Sequence, residues 1–363
     1  MSIVNNPFSA SGILLGAQNV MSSANLLQTY AMAVANQAEA DIPEIPGFVT
    51  DQGTATRNAI SIQTELIPSL VDLIAHPLAF SNLILAEYDS LVSDAEKIED
   101  GSLSKEQRQV AVKDFIKGID VLIQSIDQGN MQIKLTLNSI ALFLDVLKKD
   151  NNSLDADLKM AEKLLKKDQI DKLQSALTAI LGKLEADNEE ISKGAVNGLV
   201  AAAQISLGVV LSYYKGPADG FKMIIAGIKG AAEEGSREQK ALDDVNTQFD
   251  LYKTVITDLL STEAIYGVVK TLTHMDGLLY SNVQSAQLSI EAFVQASQNF
   301  VEGLNLVKTS LTEKLSLRGG LQLQLDDAKS GWSNLHTQIM NFQIIEVNPT
   351  INTNEQSSVN YTT

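Results

Sequence analysis

The chain has 363 residues, 45% of them apolar, a formal net charge of −17 and no cysteine. That length can bury a sizeable core in one large or two smaller domains, and the ordinary apolar content excludes both a disordered chain and a polytopic membrane protein. The acidic excess argues against nucleic acid as a partner and against attachment to anionic lipid through a basic face, and the lack of cysteine rules out disulfides, zinc–thiolate sites and thiol chemistry.

Met1 to Gly16 holds no Lys or Arg ahead of its short apolar stretch, so a Sec signal peptide is not expected and export would follow another route or lysis. Ile13, Ala17, Val20, Ala24, Leu27, Ala31, Val34 and Ala38 then recur at alternating spacings of four and three, one face of a helix. No charged residue precedes Glu39, so other helices should cover this one. Ile42-Pro43-Glu44-Ile45-Pro46-Gly47 breaks the pattern, and Pro68 and Pro77 suggest further helix starts or short connectors.

No proline lies between Pro77 and Pro217, or between Pro217 and Pro349. Two long arms are therefore free of the residue that removes a backbone donor and clashes with the preceding turn. In the first arm Ile116, Ile119, Ile123, Ile126, Asn130, Ile133, Leu137, Ile140, Leu144 and Leu147 form a seam, with Asn130 as its polar core position. Leu154, Leu158, Ala161 and Leu165 continue it, and Ile170, Leu173, Leu177, Ile180 and Leu184 resume it after a slip of phase. The second arm carries Leu242, Val245, Phe249, Tyr252, Ile256 and Leu259, then Val283, Ala286, Ile290, Phe293, Ser297, Phe300, Leu304, Val307 and Leu311. Gly319-Gly320 is a break, Leu325, Ala328, Trp332, Leu335, Ile339 and Phe342 make a last helix, and from about Asn348 the chain is polar. No alternating strand pattern appears. The expected fold is all-α, an elongated bundle of about five long helices.

Between the arms, Lys193 and Lys215 bracket an uncharged run from Gly194 to Tyr214, about the 20 residues a helix needs to cross the hydrocarbon layer. Its large side chains are Val196, Leu199, Val200, Ile205, Leu207, Val209, Val210, Leu211, Tyr213 and Tyr214. The turn Gly216-Pro217-Ala218-Asp219-Gly220 follows, and a second apolar piece returns through Phe221, Met223, Ile224, Ile225 and Ile228. Tyr213 and Tyr214 sit beside Lys215, as interfacial aromatics do. Gly194, Gly198, Ala202 and Ser206 give the small-residue spacing of close membrane helices. Lys193, Lys215, Lys222 and Lys229 outnumber Asp219 locally, the reverse of the chain as a whole. Asn197, Gln204, Ser206 and Ser212 keep the run marginal for insertion, yet exposing its apolar side chains to water would cost on the order of 15–30 kcal/mol. A segment too apolar to expose and too polar to insert alone suits conditional insertion. Against this stands the buried central helix of a globular protein, made less favourable by its place at the tip of two long arms.

No catalytic, metal or cofactor site is expected, and the chain reads as no enzyme. His76, His274 and His336 lack a ligand partner one helical turn away, and His76, ahead of Pro77, reads as a cap or surface residue. The acid pairs Asp155/Asp157, Glu189/Glu190, Asp243/Asp244 and Asp326/Asp327 read as solvated helix faces. Gly227-Ile-Lys-Gly230 lacks the spacing of a phosphate loop, and Trp332 reads as core.

With its long five-helix tail, its lack of cysteine and the uncharged Gly194–Tyr214 stretch, the chain resembles the α-helical pore-forming toxins of the cytolysin A and haemolysin BL type over roughly residues 10–345. The resemblance implies a tail of residues 1–192 and 233–345, a membrane-inserting head at 193–232 hinged by Gly194, Gly198, Gly216, Pro217 and Gly220, and a polar tail at 346–363. It implies a secreted soluble monomer that inserts into a target cell's bilayer, forms a homo-oligomer and works with one or two related components. The length and low charge of the head are most similar to the membrane-spanning component of the tripartite sets. In single-protein members an N-terminal helix also inserts, and the charge-free residues 1–38 keep that open beside a core-packing role. A type III secretion translocator and a soluble helical scaffold are the alternatives.

Overall fold

A computed structural model describes residues 6–35, 39–167, 261–313 and 320–341, and they form helices and short connections without a strand. Helix α1 spans Ser11–Ala35. Its expected stripe from Ile13 to Val34 is buried, each residue at 3% exposure or less. Residues 36–38 lie outside the described set.

The Pro-containing break at 42–47 is a packed turn. Ile42, Ile45 and Phe48 are buried, Ile45 N–H donates to the Ile42 carbonyl at 2.8 Å, and Ala40 N–H donates to Gln52 Oε1 at 2.9 Å. Helix α2, Phe48–Ser61, runs through a π-helical turn at Ile62–Leu66 into α3, Ile67–Glu99. Neither Pro68 nor Pro77 starts a separate helix. Pro68 lies in the first turn of α3, and the wider π turn just ahead of it, closed by Ile67 N–H on the Ile62 carbonyl, makes room where a proline ring would press on an α-helical carbonyl. Pro77 sits inside α3 and is buried.

At the end of α3 the Asp100 carboxylate accepts from Ser102 N–H at 2.8 Å, and Ser104 and Gln107 exchange side-chain-to-backbone bonds to cap α4, Lys105–Lys163. Helix α4 has 59 residues, about 88 Å at 1.5 Å per residue. Its buried rows are Ile119, Ile126, Ile133, Ile140, Leu147, Leu154, Ala161 and, beside them, Phe115, Leu122, Gly129, Thr136, Asp150 and Asp157. The expected partner row Ile116, Ile123, Asn130, Leu137 and Leu144 is half-buried. Several helices pack on α4, so its buried face is wider than a two-stranded seam and is centred one residue away. Gly129 against His76, not Asn130, is the close contact to α3, and His76 is half-buried against it instead of capping a helix.

Helix α5, Ser261–Thr312, buries Val283, Ala286, Ile290, Phe293, Ser297, Phe300, Leu304 and Val307 of the expected seam, and leaves its last member, Leu311, half-buried. It runs antiparallel to α4: Lys308 pairs with Asp120, and Thr273 Oγ1 reaches the Leu154 carbonyl at 3.4 Å. It also runs antiparallel to α1, where a Cβ on Gly16 would lie 2.9 Å from Phe293 Cα and Ser23 Oγ meets Ser289 Oγ at 2.8 Å. Helix α6, Leu321–Asn341, packs on α3. Tyr88 donates to Asp326 at 2.5 Å, and burial, reinforced by that bond, holds the phenol well above its usual range. Phe80, Phe300 and Trp332 meet edge-to-face at centroid distances of 5.2–5.7 Å, and Trp332 Nε1 donates to the Phe8 carbonyl at 2.8 Å. The expected all-α bundle of five long helices is what the described residues form, with α2 and α3 counted as one continuous helix.

Candidate functional site

The expected membrane-inserting residues Val196, Leu199, Val200, Ile205, Leu207, Val209, Val210, Leu211, Tyr213, Tyr214, Phe221, Met223, Ile224, Ile225 and Ile228 lie outside the described residues. So do the turn residues Gly194, Gly198, Gly216, Pro217 and Gly220, the cations Lys193, Lys215, Lys222 and Lys229, the seams 170–184 and 242–259, and the acid pairs Glu189/Glu190 and Asp243/Asp244. What the described residues fix is where this segment begins and ends. The contacts Asp120–Lys308 and Leu154–Thr273 set α4 and α5 antiparallel in one register. Lys163, the end of α4, and Ser261, the start of α5, therefore fall at the same end of the bundle. The chain leaves and re-enters there, opposite the end closed by the Glu99–Leu321 contact and the Ser104 cap.

The same end holds the packed turn at 42–47 and the start of α2, because Gly47 lies 3.6 Å, measured from an added Cβ, from Asp157 Oδ1. Four helices meet here, and the polar groups enclosed among them are unusual. Asp276 on α5 is 0% exposed, and neither carboxylate oxygen has a hydrogen-bond partner. Burial, reinforced by the Asp150 charge, pushes its carboxyl up to about 8. Asp157 on α4 is 5% exposed and is pushed up to about 6 by burial, then by the charge of and a hydrogen bond with Asp51 on α2. Asp150, also 5% exposed, accepts from Asn58 Nδ2 at 2.6 Å, and burial still holds its carboxyl above the usual range. Tyr266 is pushed up to about 12 by burial and by Glu162. His274 is held below the ordinary histidine range by burial and by the Lys270 charge.

The solvated reading of the acid pairs holds for Asp155, Asp326 and Asp327, which are exposed, and fails for Asp157. Sequence reading missed Asp150, Asp157 and Asp276 as a set. The available signal was the heptad spacing Gly129, Thr136, Asp150, Asp157 on one face of α4, and Asp276 between the core residues Met275 and Leu279 of α5. Trp332 is core, as expected, at 1% exposure. Among the described residues no group of His, Asp or Glu is placed to hold a metal ion. One described helix, Phe48–Glu99, is long and apolar enough to cross a membrane, and the residues it does bury, such as Leu70, Leu73, Phe80 and Ile84, are part of the bundle core.

Residues 15–187 match the family model for Bacillus haemolytic enterotoxin (HBL). No curated protein sequence matches the chain. Among solved structures, the Bacillus cereus HblL1 toxin component superposes with a TM-score of 0.65 at 14% identity, covering 91% of this chain and 96% of its own. Soluble SmhA of the tripartite α-pore-forming toxin of Serratia marcescens reaches 0.66 at 10% identity, covering 92% and 94%. Soluble AhlB of the tripartite toxin of Aeromonas hydrophila reaches 0.58 at 15% identity, covering 91% and 92%. Residues 15–187 of this chain are thus similar in sequence to the Bacillus haemolytic enterotoxin family, and its described helices share the fold of the HblL1, SmhA and AhlB toxin components.

Proposed function

We propose that this chain is one component of a multi-part pore-forming toxin, and that residues 193–232 are the part that enters the target membrane. The observation that carries the reading is topological. An uncharged 194–214 run and its apolar return are attached, through both ends of 168–260, to a single end of an antiparallel helical bundle. One end of a rigid bundle can then present the segment to lipid while the remaining helices stay paired. The segment spans the hydrocarbon layer as a hairpin, Asp219 and its turn cross it, and the bundle helices associate side by side into a homo-oligomeric ring.

The uncharged length of 194–214 supports the membrane-spanning role within such a set over a pore-lining role, because a wet wall needs more polar residues than Asn197 and Gln204. SmhA and AhlB are, by their names, components of tripartite toxins, and we extend that to this chain: one or two related proteins complete its pore. The action is on a lipid bilayer from outside the producing cell and involves no covalent chemistry. The comparisons do not favour the translocator or scaffold readings.

The test is dye release from liposomes and lysis of red cells, by this protein alone and with the products of adjacent genes. Val200→Asp and Val210→Asp should each abolish release while the far-ultraviolet circular dichroism and melting of the soluble protein are unchanged. Full lytic activity in both variants overturns the assignment.

A further inference from the structure

The end of the bundle from which residues 168–260 depart encloses three carboxyl groups, Asp150, Asp157 and Asp276, none of them in a salt bridge among the described residues. Asp276 of α5 is fully enclosed with both oxygens unpartnered. From α4, the buried Asp150 is near enough for its charge to act on it. Around Asp150 stand Asp51 and Arg57 of α2, with the Asn58 amide its hydrogen-bond donor. Asp157 of α4 shares a hydrogen bond with Asp51, and Asp157 Oδ2 is unpartnered. On α5 itself, Lys270 acts on His274, which lies with Asp155 and Asn151 along an open cleft between α4 and α5. Helix α1 brings no Asp, Glu, Lys or Arg to this end. Two carboxylates close together in a dry seam repel and are each poorly solvated, whereas the protonated acids are neutral and bear neither cost in full.

We infer that Asp276, Asp150 and Asp157 form a proton-held latch: protonated, they keep α2, α4 and α5 closed at the end from which residues 168–260 depart, and ionised, they loosen that end. The direction is opposite to that of a toxin triggered by acid. A carboxyl group whose value is raised by folding contributes stability that is full below the ordinary aspartate range near 4 and is lost as pH rises through its folded value. The window therefore runs from about 4 to about 8, with Asp157 releasing its proton near 6 and Asp276 near 8. Acid closes the bundle, and neutral to mildly alkaline medium opens it.

The consequence for lysis rests on the reading of 193–232 as the membrane-entering segment; the latch itself does not. The experiment has two arms on the full chain. In the first, melting temperature is followed from pH 4.5 to 8.5 for the wild type, Asp276→Asn, Asp150→Asn and the exposed control Asp155→Asn. The wild type and Asp155→Asn should lose stability steadily as pH rises. Asp276→Asn should lie at least about 3 °C above the wild type at pH 8 and converge with it at pH 4.5. Asp150→Asn, which keeps the shape and removes the charge acting on Asp276, should flatten the profile in the same sense if Asp276→Asn proves hard to produce. Parallel profiles for all four proteins overturn the latch. In the second arm, dye release from liposomes should rise at least about tenfold between pH 5.5 and 8 in the wild type and stay low at both in Asp276→Asn. Flattened melting profiles with equal release by the wild type and Asp276→Asn at pH 8 overturn the coupling of the latch to insertion. Flattened profiles with no release by any protein at any pH, alone or with partner components, support the latch and overturn the membrane function.

Discussion

Trp332 does several things at once in this bundle. Its ring fills the space between α3 and α5 against Phe80 and Phe300, and its indole N–H ties the chain ahead of α1 to α6 through the Phe8 carbonyl. Trp332→Phe keeps an aromatic ring and leaves that carbonyl without its donor, which should cost about 1–3 kcal/mol in a denaturant titration. An unchanged midpoint would mean that the contact carries no stability. Gly16 is a second such point, since any Cβ there would strike the Phe293 backbone. The three buried aspartates differ in kind. When charged they weaken the bundle, and on the proposed mechanism that weakness sits at the end that opens. The charge-free α1 stripe and the α5 seam were legible because their large apolar residues are the buried ones. The aspartates were not, because an acid beside another acid on a helix looks the same in sequence whether it faces water or a neighbour. Asp155 faces water and Asp157 a neighbour, two positions apart on α4.

Among the helices, α4 shows best how pattern and packing diverge. Isoleucine and leucine at 116, 123, 137 and 144 draw the eye to a two-stranded seam, yet Gly129, Thr136, Asp150 and Asp157 occupy the more deeply buried row. Small and polar residues are tolerated there because α2 and α3 press close, as the Gly129–His76 contact shows. The proline reading failed for a related reason. A π turn before Pro68 absorbs what would otherwise end a helix, so α2 and α3 continue as one. The far end of α4 depends on its capping box, so Ser104→Ala should lower stability by about 1 kcal/mol without affecting the release end. Hydrogen exchange should rise only in the first turns of α4. Faster exchange near Leu154 instead would show that the two ends are coupled.

At the scale of the molecule, the all-α class and the five long helices of the described residues were readable from periodicity. That the chain leaves α4 and re-enters α5 at the same end of the bundle follows from the α4–α5 register, which sequence does not encode locally. A bundle with one pH-sensitive end and one capped end can open at the former without unfolding at the latter. The net charge of −17 favours the solubility of a chain that carries so long an apolar run. The central claim is that residues 193–232 pass from the protein into lipid. Because the chain has no cysteine, single cysteines at Leu207 and Ile225 can each carry an environment-sensitive dye, with Ser285 on the exposed face of α5 as control. On leaking liposomes the dyes at 207 and 225 should shift to the emission of a hydrocarbon surrounding and become quenchable by lipid-borne quenchers, in step with leakage, while the dye at 285 stays aqueous. Leakage with the dyes at 207 and 225 still in water or shielded within protein would contradict the account.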